Sequence, residues 1–118
     1  MNYDLEERVA KFGESIISFC QSIKYNDINK PLTNQLVRSA TSIGANYMEA
    51  NQGCSMKDFK NKVRISQKES NESKYWLRMI AAANSDRKEE CRKLWQEAHE
   101  LTLIFAKISK TCEEKNKK

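Results

Sequence analysis

Leu5, Val9, Phe12, Ile16, Phe19 and Ile23 follow one another at alternating steps of four and three residues. That spacing gathers them on one stripe of an α-helix, whereas a strand, with its period of two, would scatter them over both faces. The whole chain of 118 residues contains three glycines and one proline. Sandwiches, barrels and phosphate-cradling loops need such residues at their turns, so the chain reads as long helices with few loops. Its length suits one domain with one core, and neither a repeat nor a linker divides it. Charged residues at 31% against 39% hydrophobic ones are the mixture of a folded chain compatible with water.

Three more helical segments follow the first, which is expected over about 4–24. YNDINK reads as a loop, and Pro31 suits the first turn of a second helix reaching about Gln52, with Gly53 as its stop. Ser55 with Asp58 three residues on resembles a helix start, and a third helix is expected to Ala83. Its stripe is Phe59, Val63, Leu77 and Ile80, with Ser66, Ser70 and Ser73 at the core positions between. Asn84-Ser85-Asp86 breaks it, and Asp86 with Glu89 reads as a second capping box. The fourth helix, about Arg87 to Cys112, carries Cys91, Leu94, Trp95, Ala98, Leu101, Phe105, Ile108 and Cys112, and a polar tail from about residue 113 is expected to fray. Short loops between four such helices predict an all-α, antiparallel up-down-up-down four-helix bundle, one domain over residues 1–118.

The acidic, amphipathic N-terminus lacks the basic start and apolar run of a signal peptide, and no apolar stretch nears the ~20 residues of a membrane span. A cytoplasmic protein with no membrane contact is the expectation. Cys20, Cys54, Cys91 and Cys112 show no metal-ligand spacing and are expected as free thiols. Glycine-rich phosphate loops, GxSxG and HExxH are absent, and His99 is the only histidine. The expectation is therefore a non-enzyme with no metal and no cofactor.

The second helix is unusual on two sides. Leu32, Leu36, Ile43, Tyr47 and Ala50 form one apolar face, while Val37, Ala40, Thr41, Gly44 and Met48, apolar or small, lie roughly opposite. Only Arg38 and Glu49 are charged between Pro31 and Cys54, too few for a helix with one face in water. Val37, Thr41, Gly44 and Met48 are accordingly expected at a subunit interface. Arg38, Ser42, Asn46 and Glu49 lie along a polar flank. If buried they need partners, and Glu72 and Glu69, aided by the third helix's serines, are the candidates. Such a network acts as a register device or as a ligand contact.

Residues 55–84 carry seven basic and three acidic side chains, net +4 of the chain's +5. Lys57, Lys60, Arg64 and Lys68 share one side of the third helix, continued by Tyr75 and Arg78. A stripe of this kind can track the phosphates of RNA or DNA, with Tyr75 stacking on a base. A solvated helix face is the plainer alternative, and a protein-binding scaffold is the second functional reading.

The run QLVRSATSIGANYMEA, residues 35–50, resembles the signature of the four-helix-bundle proteins of 23S rRNA intervening sequences, the S23 family. The matching positions are Arg38-Ser39, Ser42-Ile43, Asn46 and Glu49-Ala50, and residues 55–80 add Phe59, Ile65, Glu72, Trp76 and Leu77. The resemblance extends from about Tyr3 to Ile108, and Asn51-Gln52-Gly53 departs from it only in loop detail. It implies a ring-like homopentamer. Related bundles include accessory proteins of retroelements, which bind nucleic acid and a reverse transcriptase.

Overall fold

The computed structural model describes residues 3–53 and 55–116. Cys54, one of the four expected thiols, lies outside the described residues. Four helices follow in order, α1 (Tyr3–Ser22), α2 (Asn29–Ala50), α3 (Met56–Ala83) and α4 (Lys88–Asn116), with a 3-10 turn, Ser85–Arg87, ahead of the last. Side-chain pairs fix their directions. Arg8 meets Glu97 and Ser22 meets Arg87, so α1 and α4 oppose. Ser39 meets Ser73 and Glu49 meets Lys62, so α2 and α3 oppose. Lys74 meets His99 and Arg64 meets Ser109, so α3 and α4 oppose. Gly13 lies against Thr41 and Gly44 against Val9, which sets α1 against α2 in the same sense. The result is an up-down-up-down bundle of 51 × 22 × 20 Å.

The stripe on α1 forms one wall of the core, and none of its six residues is more than 8% exposed. Leu36, Ile43, Tyr47, Val63, Leu77, Ile80, Ala98, Leu101 and Phe105 fill the centre. Phe105 meets Tyr47 edge to face, with ring centres 5.5 Å apart. The polar stretch of α3 is also inside. Ser39, Ser66, Ser70 and Ser73 are fully buried, and each hydroxyl is satisfied. Ser66 donates to the Ile43 carbonyl at 2.9 Å, Ser70 and Ser73 donate back to their own helix, and Ser39 and Ser73 share a bond of 2.8 Å. Small hydroxylated residues let α2 and α3 approach closely without leaving a buried polar atom unpaired.

The ends are built locally. The Asn26 side chain accepts from the Ile28 and Asn29 amides at 3.0 and 2.7 Å, supplying the cap that α2 lacks at Ile28. Gly53, at φ +79°, turns the chain after α2 in a conformation other residues adopt with strain. Ser55 caps α3 by accepting from the Asp58 amide at 3.1 Å. The box expected of Asp86 and Glu89 is replaced by the 3-10 turn, and Glu89 instead pairs with Arg92. α4 also continues past Cys112 to Asn116, where a frayed tail was expected. Glu113 there pairs with Lys60 at 2.9 Å and with Arg64, which ties the last turns to α3.

Cys20, Cys91 and Cys112 are free thiols. Burial pushes the Cys20 and Cys91 thiols up to about 11. An unfolded thiol ionises near 9, so between these values the unfolded chain releases protons the folded chain keeps. Stability should therefore fall as pH rises from about 9 to about 11. Urea midpoints measured across that interval should decline less for Cys20→Ala/Cys91→Ala than for the parent; equal slopes would contradict the assignment.

Candidate nucleic-acid interface

The cations of α3 divide into two sets. Lys60 and Arg64 lean toward α4, where Glu113 pairs with both and Ser109 lies 3.4 Å from Arg64 Nε. Lys60 is four-fifths covered, with 20% of its side chain exposed. Lys57, Lys68 and Arg78 point outward, are exposed, and have no acidic partner among the described residues. Tyr75 is exposed on the same outer face, its ring edge-on to Trp76 with centres 5.1 Å apart. The six residues expected as one stripe thus form a row of uncompensated charge and a pair, Lys60 and Arg64, that shares one carboxylate. Wheel geometry shows which way a side chain leaves α3, but Glu113 lies 49 residues from Arg64 and is invisible to local periodicity.

The polar flank of α2 lies at the surface rather than inside. Arg38 reaches across to α3, where Glu69 lies at 3.2 Å and Glu72 also pairs with it; the three side chains are 45%, 15% and 31% exposed. Gln35 accepts from Arg38 Nε at 3.1 Å, and Glu72 also accepts the Trp76 indole N–H at 3.0 Å. Ser42 and Asn46 stay on their own helix, donating to the carbonyls of Arg38 and Ser42 at 2.7 and 2.9 Å. Glu49 pairs with Lys62 at 2.9 Å, away from Arg38. The buried serines bond backbone and one another, not the ion pairs. Arg38 thus meets the two glutamates expected for it, while Ser42, Asn46 and Glu49 bond elsewhere, so no single network joins them. A long guanidinium stem spans the helix boundary while its head remains partly in water, which removes most of the cost of burial. Lys62, Gln35 and the Trp76 indole were not anticipated. Lys62 lies one heptad before Glu69, and that spacing alone put it on the α2 side.

On the far side of α2 the four residues expected at a subunit interface line the surface facing α1 and beyond. Val37 and Gly44 are half-covered, Thr41 is exposed, and Met48 is 52% exposed. Thr41, Gly44 and Met48 join Val9, Ala10, Gly13 and Ile17 in a shallow apolar groove of about 340 Å³, with Glu6 and Glu14 at its rim. Among the described residues no group of three or more His, Cys, Asp or Glu side chains is placed to hold a metal. Nor is any helix among the described residues long and apolar enough to cross a membrane.

The sequence profile of the 23S rRNA-intervening sequence proteins matches residues 2–107. The chain belongs to that family. A solved structure from the same group gives the relation in three dimensions. A protein with unknown function from the S23 ribosomal protein family of Bacteroides thetaiotaomicron shares 30% identity and superposes with a TM-score of 0.81, over 89% of this chain and 94% of its own. No curated protein matches. The part shared with the 23S rRNA-intervening sequence proteins covers α1, α2, α3 and most of α4, and so includes the outer basic row and the apolar groove. Glu113, which pairs with both Lys60 and Arg64, falls beyond the matched stretch.

Proposed function

We propose that this family member is a non-enzymatic, homo-oligomeric bundle that binds RNA or DNA without sequence specificity through the outer face of α3. One observation carries the reading: Lys57, Lys68 and Arg78 stand exposed on one face beside Tyr75, with no acidic partner among the described residues. Cations held along a rigid helix engage successive phosphates, and an exposed ring accepts a base of any identity. Assembly multiplies that face. A ring requires two different surfaces meeting head to tail, and the α1–α2 groove supplies an apolar one; the family resemblance implies a homopentamer. The reading places the protein in the cytoplasm, where thiols such as Cys20, Cys91 and Cys112 stay reduced.

Binding to a single-stranded RNA and to duplex DNA, followed across a salt series, tests it. Affinity should fall steeply with salt, and Lys57→Glu/Lys68→Glu/Arg78→Glu should lower the slope of log K against log salt by about two to three. Lys60→Glu or Arg64→Glu should act less, because Glu113 already offsets those charges. Absence of binding at low salt, or a triple variant that binds as the parent does, overturns the proposal. That outcome would favour a scaffold that binds another protein, for which the apolar α1–α2 groove is the supporting observation.

A further inference from the structure

Between α3 and α4, one helical turn beyond Tyr75, lies a second pocket of about 390 Å³. Its accessible apolar lining is Ala81, Ala82 and Trp95, over the buried Leu77 and Cys91, and Arg78, Lys88 and Arg92 line it as well. These three cations are exposed. Only Arg92 has an acidic partner there, Glu89, and that pair is 69% and 64% exposed, so water screens it and an incoming anion can replace it. Trp95 is held in place by its own helix and by α3. His99 stacks on it with centres 5.0 Å apart, and Lys74, 3.1 Å from His99 Nδ1, stands 5.2 Å from the indole centre. A fixed aromatic wall, an apolar floor and several converging cations are the parts of a small-molecule site, and the volume falls within the usual ~300–1,000 Å³.

We infer that this pocket seats the terminal nucleotide of a single strand, its base against Trp95 and Ala81 and its terminal phosphomonoester on Arg78, Lys88 and Arg92. The charge decides the ligand class. Two arginines and a lysine exceed what one carboxylate can answer, whereas a phosphate monoester offers nearly two negative charges and three acceptor oxygens. A compact pocket between two helices suits a flat ring better than a long alkyl chain. Arg78 belongs to both the outer row of α3 and this pocket, so a strand lying along Lys57, Lys68 and Tyr75 reaches the pocket at its end. The inference rests on the nucleic-acid reading above and adds an end preference to it.

Unlabelled competitor strands of one sequence, bearing a 5′-phosphate, a 3′-phosphate or hydroxyls at both ends, are titrated against a fluorescent single-stranded RNA bound to the full chain. At least one phosphorylated strand should compete about tenfold better than the hydroxyl strand, the gain of a charge-assisted contact. Lys88→Gln/Arg92→Gln should erase that difference, lowering the phosphorylated strand's affinity more than the hydroxyl strand's. Lys57→Glu/Lys68→Glu should weaken all three strands and keep the ratio. In a Trp76→Phe background, adenosine monophosphate should quench Trp95 fluorescence and adenosine should not, a readout independent of strand binding. Circular dichroism confirms that each variant folds. Strand binding with no preference among the ends overturns the end preference alone, and loss of all strand binding overturns the reading beneath it. An acidic peptide that occupies the pocket while the mononucleotide does not overturns the assignment of ligand class.

Discussion

Phe105→Ala should destabilise the bundle by about 3–5 kcal/mol, the usual cost of emptying a fully buried aromatic site. Phe105 has no exposed surface, and its ring meets the buried Tyr47 edge to face at 5.5 Å. The variant therefore loses apolar burial, a ring contact and the support of the neighbouring aromatic together. Tyr47 is held on α2 and Phe105 on α4, so the cavity opens across the centre of the core, where all four helices would have to move to close it. Chemical denaturation followed by circular dichroism measures the change. A loss below about 1 kcal/mol would mean that the centre repacks freely, contrary to the close packing of a folded core. Phe105→Leu should recover much of the loss by refilling most of the volume.

Met48→Glu should dissociate the proposed homo-oligomer while leaving each subunit folded. Met48 is 52% exposed in the single chain, so a carboxylate there meets water and costs the isolated subunit little. In a subunit interface the same carboxylate is buried without a partner, beside a groove whose rim already carries Glu6 and Glu14. An unpaired buried charge costs about 3–5 kcal/mol, which weakens association by roughly two to four orders of magnitude. Light scattering during size-exclusion chromatography should give the parent at a multiple of 13.7 kDa and the variant at 13.7 kDa. A parent that elutes as a monomer at micromolar concentration would refute assembly through α2. A variant of unchanged mass would remove Met48 from the interface.

The fold was legible where the signal is periodic. The alternating steps from Leu5 to Ile23 need only one helix and one core to be explained, and the structure buries all six residues. The serines of α3 were placed at core positions by the same arithmetic, although their hydrogen-bond partners, backbone carbonyls and Ser39, depend on how closely α2 approaches. What stayed illegible is pairing between helices. The end of α4 was set at Cys112 because the residues after it are polar, but Glu113 gains Lys60 and Arg64 from α3, and that gain is settled by antiparallel register. Periodicity leaves open whether the flank of α2 is buried; Arg38 lies at a seam where its length lets it span both environments and reach the expected Glu69 and Glu72. In the basic stripe, direction was readable and compensation was not. The α3–α4 pocket escaped for the same reason, since Arg78 and Arg92 converge only after the chain has reversed.

The amide pair Asn29 and Asn84 has a consequence for the chain's connectivity. Each side chain donates to the other, at 3.0 and 2.8 Å, across 55 residues of sequence, and Asn29 is 2% exposed. Asn29 opens α2 and Asn84 closes α3, so the two bonds join the ends of the central hairpin and make residues 29–84 a non-covalent loop. Such a clasp does by hydrogen bonding what a crosslink does by covalency: it limits how far the two ends separate when the structure loosens, at about 1 kcal/mol net per bond. It draws on no thiol and so works in a reducing environment. The bundle is then less a row of four equal rods than a fastened hairpin carrying α1 and α4 as arms, with the basic row of α3 mounted on the fastened part.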